Sequence, residues 1–235
     1  ADIIFNENNM TLFDSNVRKE GNKMKNNAMI FGDSYSTFKG YVPEGNAFYY
    51  NEETGETDVR RVTETWWHKL MKETDSDLIL NDSWSGSTVC HTGYNNNDCS
   101  ETHSFVCRLD RYISRGFFKE NEPDTIFIFG GTNDNWAGSP VGEVQYSDFK
   151  KEDLFNVLPA FCYMLDTLKK VAAESRIIVL INTFFKMELE SGIKEACEHY
   201  SVEYVAFKDI DKICGHPSIK GMAQIKDQIL ENIKE

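Results

Sequence analysis

The sequence is short of positive charge and contains no long apolar segment. It has 25 lysines and arginines against 38 aspartates and glutamates, a formal net charge of −13. Nucleic acids and anionic membrane surfaces are bound through basic patches, so this balance argues against both as partners. No apolar run approaches the roughly 20 residues that a membrane-spanning helix needs. With 40% hydrophobic and 27% charged residues, the composition is that of a soluble globular protein.

The chain also lacks a dense set of cysteines. Its six cysteines are spread over 235 residues, and Cys162 and Cys197 fall on apolar faces of predicted helices, where reduced thiols are common. A reducing compartment is therefore favoured, although a Cys90–Cys99 disulfide stays open for an exported protein. No signal-peptide pattern is visible either, so we expect a cytoplasmic rather than a secreted protein.

Internal repeats, low-complexity tracts and linkers are absent as well, which favours one domain. Residues 1–23 are polar and show no sustained apolar period, and we interpret them as an N-terminal extension. Residues 24–235 are then expected to form a single domain with a sizeable core.

The stretch 28–36 organises the rest of the sequence. A short apolar run, Ala28–Phe31, ends in Gly32-Asp33-Ser34, and this pattern predicts a buried strand closed by a sharp turn at the glycine. In open α/β sheets, ligand sites collect at the carboxyl ends of the strands. Ser34 is therefore our candidate nucleophile.

Apolar patterns along the chain predict strands that alternate with helices. The predicted strands cover residues 28–31, 78–80, 125–129, 177–181 and 204–207. The predicted helices cover residues 61–74, 103–116, 153–173 and 188–200, and a last helix starts near 217–218. Pro159, inside the third helix, is expected to kink or divide it. This alternation predicts an α/β fold, a three-layer α/β/α sandwich around a five-stranded parallel sheet.

Residues with useful chemistry follow four of these strands. Ser34 follows the first, Gly86 the second and Asn133 the third, while His216 lies after the fifth strand and is held extended by Pro217. A serine can attack a carbonyl once a base removes its proton, and histidine is suited to that task near neutral pH. Gly86 can offer an unobstructed backbone N–H and Asn133 a side-chain N–H to a developing oxyanion. The set therefore favours acyl transfer.

The four segments resemble the sequence blocks of the SGNH, or GDSL-type, hydrolase family. Residues 32–34 (Gly-Asp-Ser) match the first block, 85–88 resemble the second, 130–134 closely match the third and 216–217 (His-Pro) match the last. They follow in the family's order over most of the chain. The resemblance implies a flavodoxin-like sheet and ester hydrolysis without a metal or other cofactor.

The resemblance also implies roles for the matched residues. Ser34 would be the nucleophile and first oxyanion donor, Gly86 and Asn133 the further oxyanion donors, and His216 the base. The family usually has an Asp three residues before the histidine, where this chain has Ile213. Asp211, five residues ahead of His216, is our candidate for a third catalytic residue, and a backbone carbonyl in the same loop is the alternative acceptor.

A second set of residues mixes soft and imidazole ligands within eighteen positions: Cys90, His91, Cys99, His103 and Cys107. Zinc accepts such ligands. The spacings match no standard zinc motif, however, and Cys107 fits a helix core. We therefore expect no metal site here.

Three classes of function follow from these residues. We favour a serine esterase or deacylase that acts on small acyl esters, with carbohydrate acetates among the candidates. Aromatic residues of the long segment 38–60 and Trp136 would suit a sugar or an acyl group and do not choose between them. The alternatives are a weakly active binding protein on a hydrolase scaffold, since the usual Asp is missing, and a zinc-dependent protein. The only partner we expect is a small-molecule ester; the oligomeric state is not predicted.

Overall fold

The computed structural model describes residues 26–53 and 55–233. The strands are β1 (Asn27–Gly32), β2 (Asp77–Ser83), β3 (Thr125–Phe129), β4 (Arg176–Ile181), β5 (Glu203–Ala206), β6 (Lys212–Ile213) and β7 (His216–Pro217). The helices are α1 (Trp66–Thr74), α2 (Phe105–Ser114), α3 (Phe117–Glu120), α4 (Thr132–Ala137), α5 (Val157–Val171), α6 (Met187–Tyr200) and α7 (Ile219–Asn232). The extension expected at residues 1–23 lies outside the described residues. In the part of the chain that the structure describes, no helix is long and apolar enough to cross a membrane.

The first five strands form one parallel sheet in the order β2-β1-β3-β4-β5. This is the flavodoxin-like order, and the predicted three-layer α/β/α fold is confirmed. The order reverses between β1 and β3, and ligands bind at such a switch point, outside the carboxyl ends of the strands. Ser34 follows β1 and Asn133 lies just after β3, so the topology brings both to this crevice.

The sheet is buried on both faces. Met29 and Phe31 belong to a core cluster that includes residues of α2, α5 and α6. Ala28 and Ile30 belong to a second cluster with residues of α1 and α7. Because both faces of β1 are covered by helices, its sequence is a continuous apolar run rather than an alternating one.

Pro159 neither kinks nor divides α5. It is the third residue of that helix, and the first four N–H groups of a helix have no partner within it, so a proline there removes no hydrogen bond. The two N–H groups before it, those of Val157 and Leu158, donate outside the helix, to the carbonyls of Pro140 and Val141, each at 2.9 Å. The predicted kink was wrong because the helix begins later than residue 153.

A small antiparallel hairpin of β6 and β7 carries His216 and was not predicted. Its turn residues, Cys214 and Gly215, have φ values of 48° and 81°. Two successive left-handed residues are typical of a type I′ turn, which joins strands through two residues. Gly215 fits that turn, but a cysteine is an unusual residue there, so the sequence signal was incomplete.

Candidate active site

Ser34 begins a short 3₁₀ turn, Ser34–Ser36, directly after β1. Asp33 caps this turn, because its Oδ1 accepts a hydrogen bond from the Tyr35 N–H at 3.0 Å. The Asp33 N–H donates to the carbonyl of Phe129 at 3.2 Å, which ties the turn to the end of β3. The turn therefore holds Ser34 at the point where the strand order reverses.

Gly32 is required because its neighbours leave no room for a side chain, and not because of its backbone conformation. A Cβ at this position would collide with the Ser83 hydroxyl and lie 2.7 Å from the Cβ of Ser36. The sequence-based reason, the freedom of glycine in a sharp turn, was wrong, since Gly32 does not have a positive φ. Ser36 packs this closely because α1 holds it: the indole N–H of Trp66 donates to its Oγ at 3.2 Å, and that of Trp67 to its carbonyl at 2.9 Å.

His216 faces Ser34 across 182 positions of sequence, with its Nε2 3.0 Å from the serine Oγ. Its Nδ1 lies 3.2 Å from the carbonyl oxygen of Cys214. A carbonyl can only accept, so Nδ1 carries the proton and Nε2 is free to accept the serine hydroxyl proton. Burial lowers the pKa of His216, and the charge of Lys212 lowers it further, while the bond to Cys214 acts in the opposite direction. The ring is therefore neutral near pH 7, as a general base must be.

Asp211 lies away from the imidazole ring of His216. Its carboxylate accepts a hydrogen bond from the hydroxyl of Ser218, and the same Ser218 Oγ accepts from the N–H of Gly221 at 3.1 Å, which caps α7. The candidate third catalytic residue is thus part of a helix cap. Of the two acceptors that the sequence left open, the structure places the backbone carbonyl against Nδ1.

The register of the hairpin explains why Asp211 does not reach the ring. Lys212 pairs with Pro217, so Asp211 lies level with Ser218 and not with His216. Five positions of sequence separation would allow a contact in a free loop. In an antiparallel hairpin, the register decides which residues meet.

Gly86 occupies the third position of a tight turn at the end of β2. The Ser87 N–H donates to the carbonyl of Trp84 at 3.1 Å, and Gly86 has a φ of 82°. A type II turn requires a positive φ at its third position, which favours glycine. A Cβ there would meet no atom within 4 Å, so conformation and not space accounts for this glycine.

Asn133 is the second residue of α4, and both ends of its amide are engaged. Its Nδ2 donates to the carbonyl of Ser87 at 2.9 Å, and its Oδ1 accepts from the Tyr94 hydroxyl at 2.9 Å. An amide nitrogen carries two hydrogens, so one remains for a ligand in the crevice. The turn that holds Gly86 and the helix that holds Asn133 are thereby joined through Ser87.

The chain matches the sequence model of the GDSL-like lipase/acylhydrolase family over residues 26–233. The chain belongs to this family. The structure of a protein from Bacteroides ovatus described as a GDSL-like lipase is 43% identical, with a TM-score of 0.83 over 89% of this chain and 98% of its own. A counterpart from Bacteroides uniformis is 42% identical, with a TM-score of 0.83 over 90% and 96%. The resemblance predicted from the four blocks is confirmed, and the activity class is that of an esterase or acylhydrolase.

More distant structures share the fold of this GDSL-like hydrolase. An acetyl xylan esterase from the rumen bacterium Butyrivibrio proteoclasticus is 15% identical, with a TM-score of 0.56 over 88% of this chain and 63% of its own. At that identity the likeness concerns the architecture alone. No curated protein sequence matches the chain.

Arg108 links the turn after β1 to the turn after β2 in the GDSL-like hydrolase. Its guanidinium pairs with the Asp82 carboxylate at 2.6 Å and donates to the Gly32 carbonyl at 3.1 Å and to the Ser87 hydroxyl at 3.3 Å. Both charged side chains are 3% exposed. Sequence reasoning missed Arg108, although a signal existed: it lies three residues after Phe105, on the apolar face of α2, where an unpaired charge would be costly.

Tyr49 and Tyr50, two aromatic residues of the segment 38–60, pack beside His216 in the GDSL-like hydrolase. The ring of Tyr49 stacks on the imidazole of His216, with centroids 3.6 Å apart and 9° between the planes. The Tyr50 hydroxyl donates to the carbonyl of Pro217 at 2.9 Å, so this segment also holds the hairpin strand. These two aromatic residues therefore orient the histidine.

Two aromatic side chains remain open at the rim of this site. Trp136 is 47% exposed, and its ring centroid is 5.8 Å from that of His216. Tyr94 is 41% exposed although its hydroxyl contacts Asn133. Aromatic side chains therefore flank the site of Ser34, which is itself 2% exposed.

Lys212 fastens the hairpin to the end of β4 and was also missed from the sequence. Its Nζ donates to the side-chain oxygens of Asn182 at 3.1 Å and Thr183 at 2.7 Å. Burial lowers the pKa of Lys212 to about 8. Its charge contributes to keeping His216 neutral, a role that no local sequence pattern indicates.

The cysteine and histidine set does not form a metal centre in the described ranges, 26–53 and 55–233, where no group of three or more His, Cys, Asp or Glu side chains could hold a metal ion. Cys90 and Cys99 are free thiols, as are the other cysteines. Cys99 Sγ lies 3.6 Å from Nε2 of His103, and His91 Nδ1 lies 2.9 Å from the Ser104 hydroxyl. These side chains pack inside the segment that leads from β2 to α2.

Proposed function

We propose that this GDSL-like hydrolase is a serine esterase or deacylase that hydrolyses small acyl esters through Ser34 and His216 without a metal. The observation that carries the proposal is the 3.0 Å contact between Ser34 Oγ and His216 Nε2. It is joined to the bond from Nδ1 to the Cys214 carbonyl, which leaves Nε2 unprotonated. A nucleophile, a base and an orienting acceptor in this order are the arrangement that covalent acyl transfer needs.

The reaction follows from these contacts. Ser34 Oγ attacks the ester carbonyl carbon while its proton passes to His216 Nε2. The carbonyl oxygen becomes an oxyanion, which the N–H groups of Ser34 and Gly86 and the free hydrogen of Asn133 Nδ2 stabilise. The bond between the carbonyl carbon and the alcohol oxygen then breaks, and the imidazolium gives its proton to that oxygen. The alcohol departs, and the acyl group stays on Ser34 as an ester. A water molecule then attacks the acyl-serine in the same way, with His216 again as the base, and the acid is released.

Small acyl groups on carbohydrates are the substrate class that we propose. Ser34 is deeply placed, which favours a short acyl group, while Trp136 offers an open aromatic face beside the pair, against which a larger apolar or sugar group can pack. The fold is shared with an acetyl xylan esterase, which is compatible with this choice. Rates on p-nitrophenyl esters from acetate to decanoate, and acetate release from acetylated sugars, would test it. A preference for long chains would refute the assignment.

A weakly active binding protein is the second candidate, because a backbone carbonyl stands where the family usually has a carboxylate. A carbonyl stabilises an imidazolium less than a negative charge does. Turnover distinguishes the two: a binding protein would retain acetylated sugars with kcat near the background rate.

The first prediction concerns Ser34→Ala. This change removes the attacking oxygen and should lower kcat by roughly 10⁴-fold or more, since loss of a covalent nucleophile disables the whole unit. Release of p-nitrophenolate from the acetate ester measures it. Ser114→Ala, at the end of α2, is the control and should keep full activity, as should the wild type after dialysis against EDTA. Equal turnover by the Ser34 variant would remove this residue from the mechanism.

A further inference from the structure

The segment from Cys90 to Cys99 forms a loop that is held by several internal hydrogen bonds and carries none of the proposed catalytic residues. Thr92 and Asp98 form an isolated antiparallel bridge. Within the loop, the N–H of Gly93 donates to the Asn97 carbonyl at 2.8 Å. At its base, the Cys99 N–H donates to the carbonyl of residue 91 at 2.7 Å. Such a set of bonds across ten positions holds the tip, residues 94–96, in one place.

The base of this loop is tied to the helix that carries Asn133. Asp134 follows Asn133 in the chain, and its carboxylate accepts hydrogen bonds from the N–H groups of Val89 and Cys90 at 2.9–3.2 Å. The Ser139 hydroxyl, just beyond α4, donates to the Thr92 carbonyl at 2.8 Å. The loop is therefore tied to both ends of α4.

The tip itself is strained. Asn95 and Asn96 both have a φ of 56°. The left-handed region is uncommon outside glycine, although asparagine tolerates it better than most residues. Such a conformation persists only where the surroundings hold it. The residue that this tip presents is Tyr94.

Tyr94 donates its hydroxyl hydrogen to Asn133. The carbonyl of Ser87 can only accept, so the atom of the Asn133 amide that faces it is Nδ2. The other amide atom, 2.9 Å from the Tyr94 hydroxyl, is then Oδ1, an acceptor. Burial raises the pKa of Tyr94, so the phenol keeps its proton throughout the range in which an esterase works.

We propose that Tyr94 is a positioning residue for the oxyanion donor Asn133, an inference that rests on the proposed esterase function. With Oδ1 held by Tyr94 and one hydrogen of Nδ2 held by Ser87, the second hydrogen has a single direction, into the crevice. Without Tyr94 the amide can rotate and present Oδ1, which would repel an oxyanion. The hydrogen bond to Oδ1 also polarises the amide and makes its N–H a better donor.

The test is a double-mutant cycle between Tyr94 and Asn133 on p-nitrophenyl acetate. Tyr94→Phe should lower kcat about 10-fold with KM changed less than about twofold, because the oxyanion exists only in the transition state. Asn133→Ala should lower kcat by about 100-fold or more. In the Asn133→Ala background, Tyr94→Phe should cause no further loss, since the group on which it acts is gone.

Two further variants separate positioning from a structural role. Tyr94→Leu removes the ring as well as the hydroxyl; positioning predicts the same kcat as Tyr94→Phe, whereas loop packing predicts a further loss. Tyr163→Phe removes a similar bond, from a hydroxyl to Asp110 at 2.8 Å between α5 and α2, and should leave kcat unchanged.

The outcomes distinguish this inference from the proposed function. Losses that multiply in the double variant, or a change in KM alone, would overturn the role of Tyr94. If Ser34→Ala keeps the wild-type rate, the esterase proposal itself fails. If Ser34→Ala is inactive and Tyr94→Phe is fully active, only the positioning role is refuted.

Discussion

His216 obtains its tautomer from the backbone carbonyl of Cys214, a residue in the left-handed conformation. Stacking on Tyr49 then limits the tilt of the ring. A carbonyl that accepts from Nδ1 defines which nitrogen is protonated as well as a carboxylate does, but it adds no negative charge to balance the imidazolium. At the residue scale, the site is therefore a Ser–His pair oriented by backbone and by an aromatic ring.

Asp211→Asn is predicted to leave catalysis unchanged. Burial, the largest cause, lowers the pKa of His216, so the acidic limb of kcat/KM should inflect below the usual histidine value of about 6.5. Activity is lost only as the pH falls through that lowered pKa, because the protonated ring cannot accept a proton. Since Asp211 faces Ser218 and not the ring, the variant should keep the same inflection and kcat within about twofold.

The measurement is a kcat/KM profile from pH 4 to 9 for both proteins. The variant should still lose about 1 kcal/mol of unfolding free energy in urea, because the bond between Asp211 and the Ser218 cap of α7 is weakened. A large loss of activity together with a shifted acidic limb would instead show that Asp211 acts on His216 during catalysis.

At the scale of elements, the site depends on how α2 and the β6–β7 hairpin are attached to the sheet. Arg108 of α2 lies beneath the turns after β1 and β2 and binds both. The hairpin is held by Tyr35, whose hydroxyl donates to the Gly215 carbonyl at 2.5 Å, and by Lys212 on the side of β4. Ser34 and His216 meet because these contacts fix two elements that are far apart in sequence.

Arg108→Leu is predicted to destabilise the fold by about 3–5 kcal/mol, because it leaves the Asp82 carboxylate buried without its partner. Equilibrium unfolding in urea measures this loss. Arg176→Leu is a suitable control: its ion pair with Glu203 is partly exposed, at 34% and 47%, and such pairs contribute about 0–1 kcal/mol.

A double variant sharpens the Arg108 experiment. Replacing Asp82 by Leu in the Arg108→Leu chain removes the unpaired charge and should restore part of the stability. If Arg108→Leu unfolds at the same urea concentration as the wild type, the buried pair does not hold the two turns together.

At the scale of the whole molecule, the crevice collects polar and ionisable groups inside an apolar fold. Burial raises the pKa of Asp33 to about 7 and that of Asp134 to about 6, from 3.8. The folded chain therefore binds these protons more tightly than the unfolded chain. The stability that each group contributes is full below pH 3.8 and is lost as the pH rises through the raised pKa.

Asp33→Asn is predicted to reduce the dependence of stability on pH between about 4 and 7, because an amide cannot ionise and its oxygen still accepts from the Tyr35 N–H. Melting temperatures measured across this range in both proteins give the slope. Asp148→Asn, at an exposed position, should keep the wild-type slope. An unaltered slope in Asp33→Asn would mean that Asp33 does not retain its proton in the folded state.

The sequence by itself determined the fold and the family. Apolar runs of strand length alternate with helical periods, and turn residues follow each strand; these are local patterns, so they predicted the parallel sheet and the crevice to which Ser34, Gly86, Asn133 and His216 are brought. Only the tertiary structure decided the contacts between distant segments. The hairpin register took Asp211 away from His216, the left-handed Cys214 supplied its carbonyl instead, and Tyr94 met Asn133 across 39 positions. Such contacts depend on how packed elements align in space, which the period of a sequence does not encode.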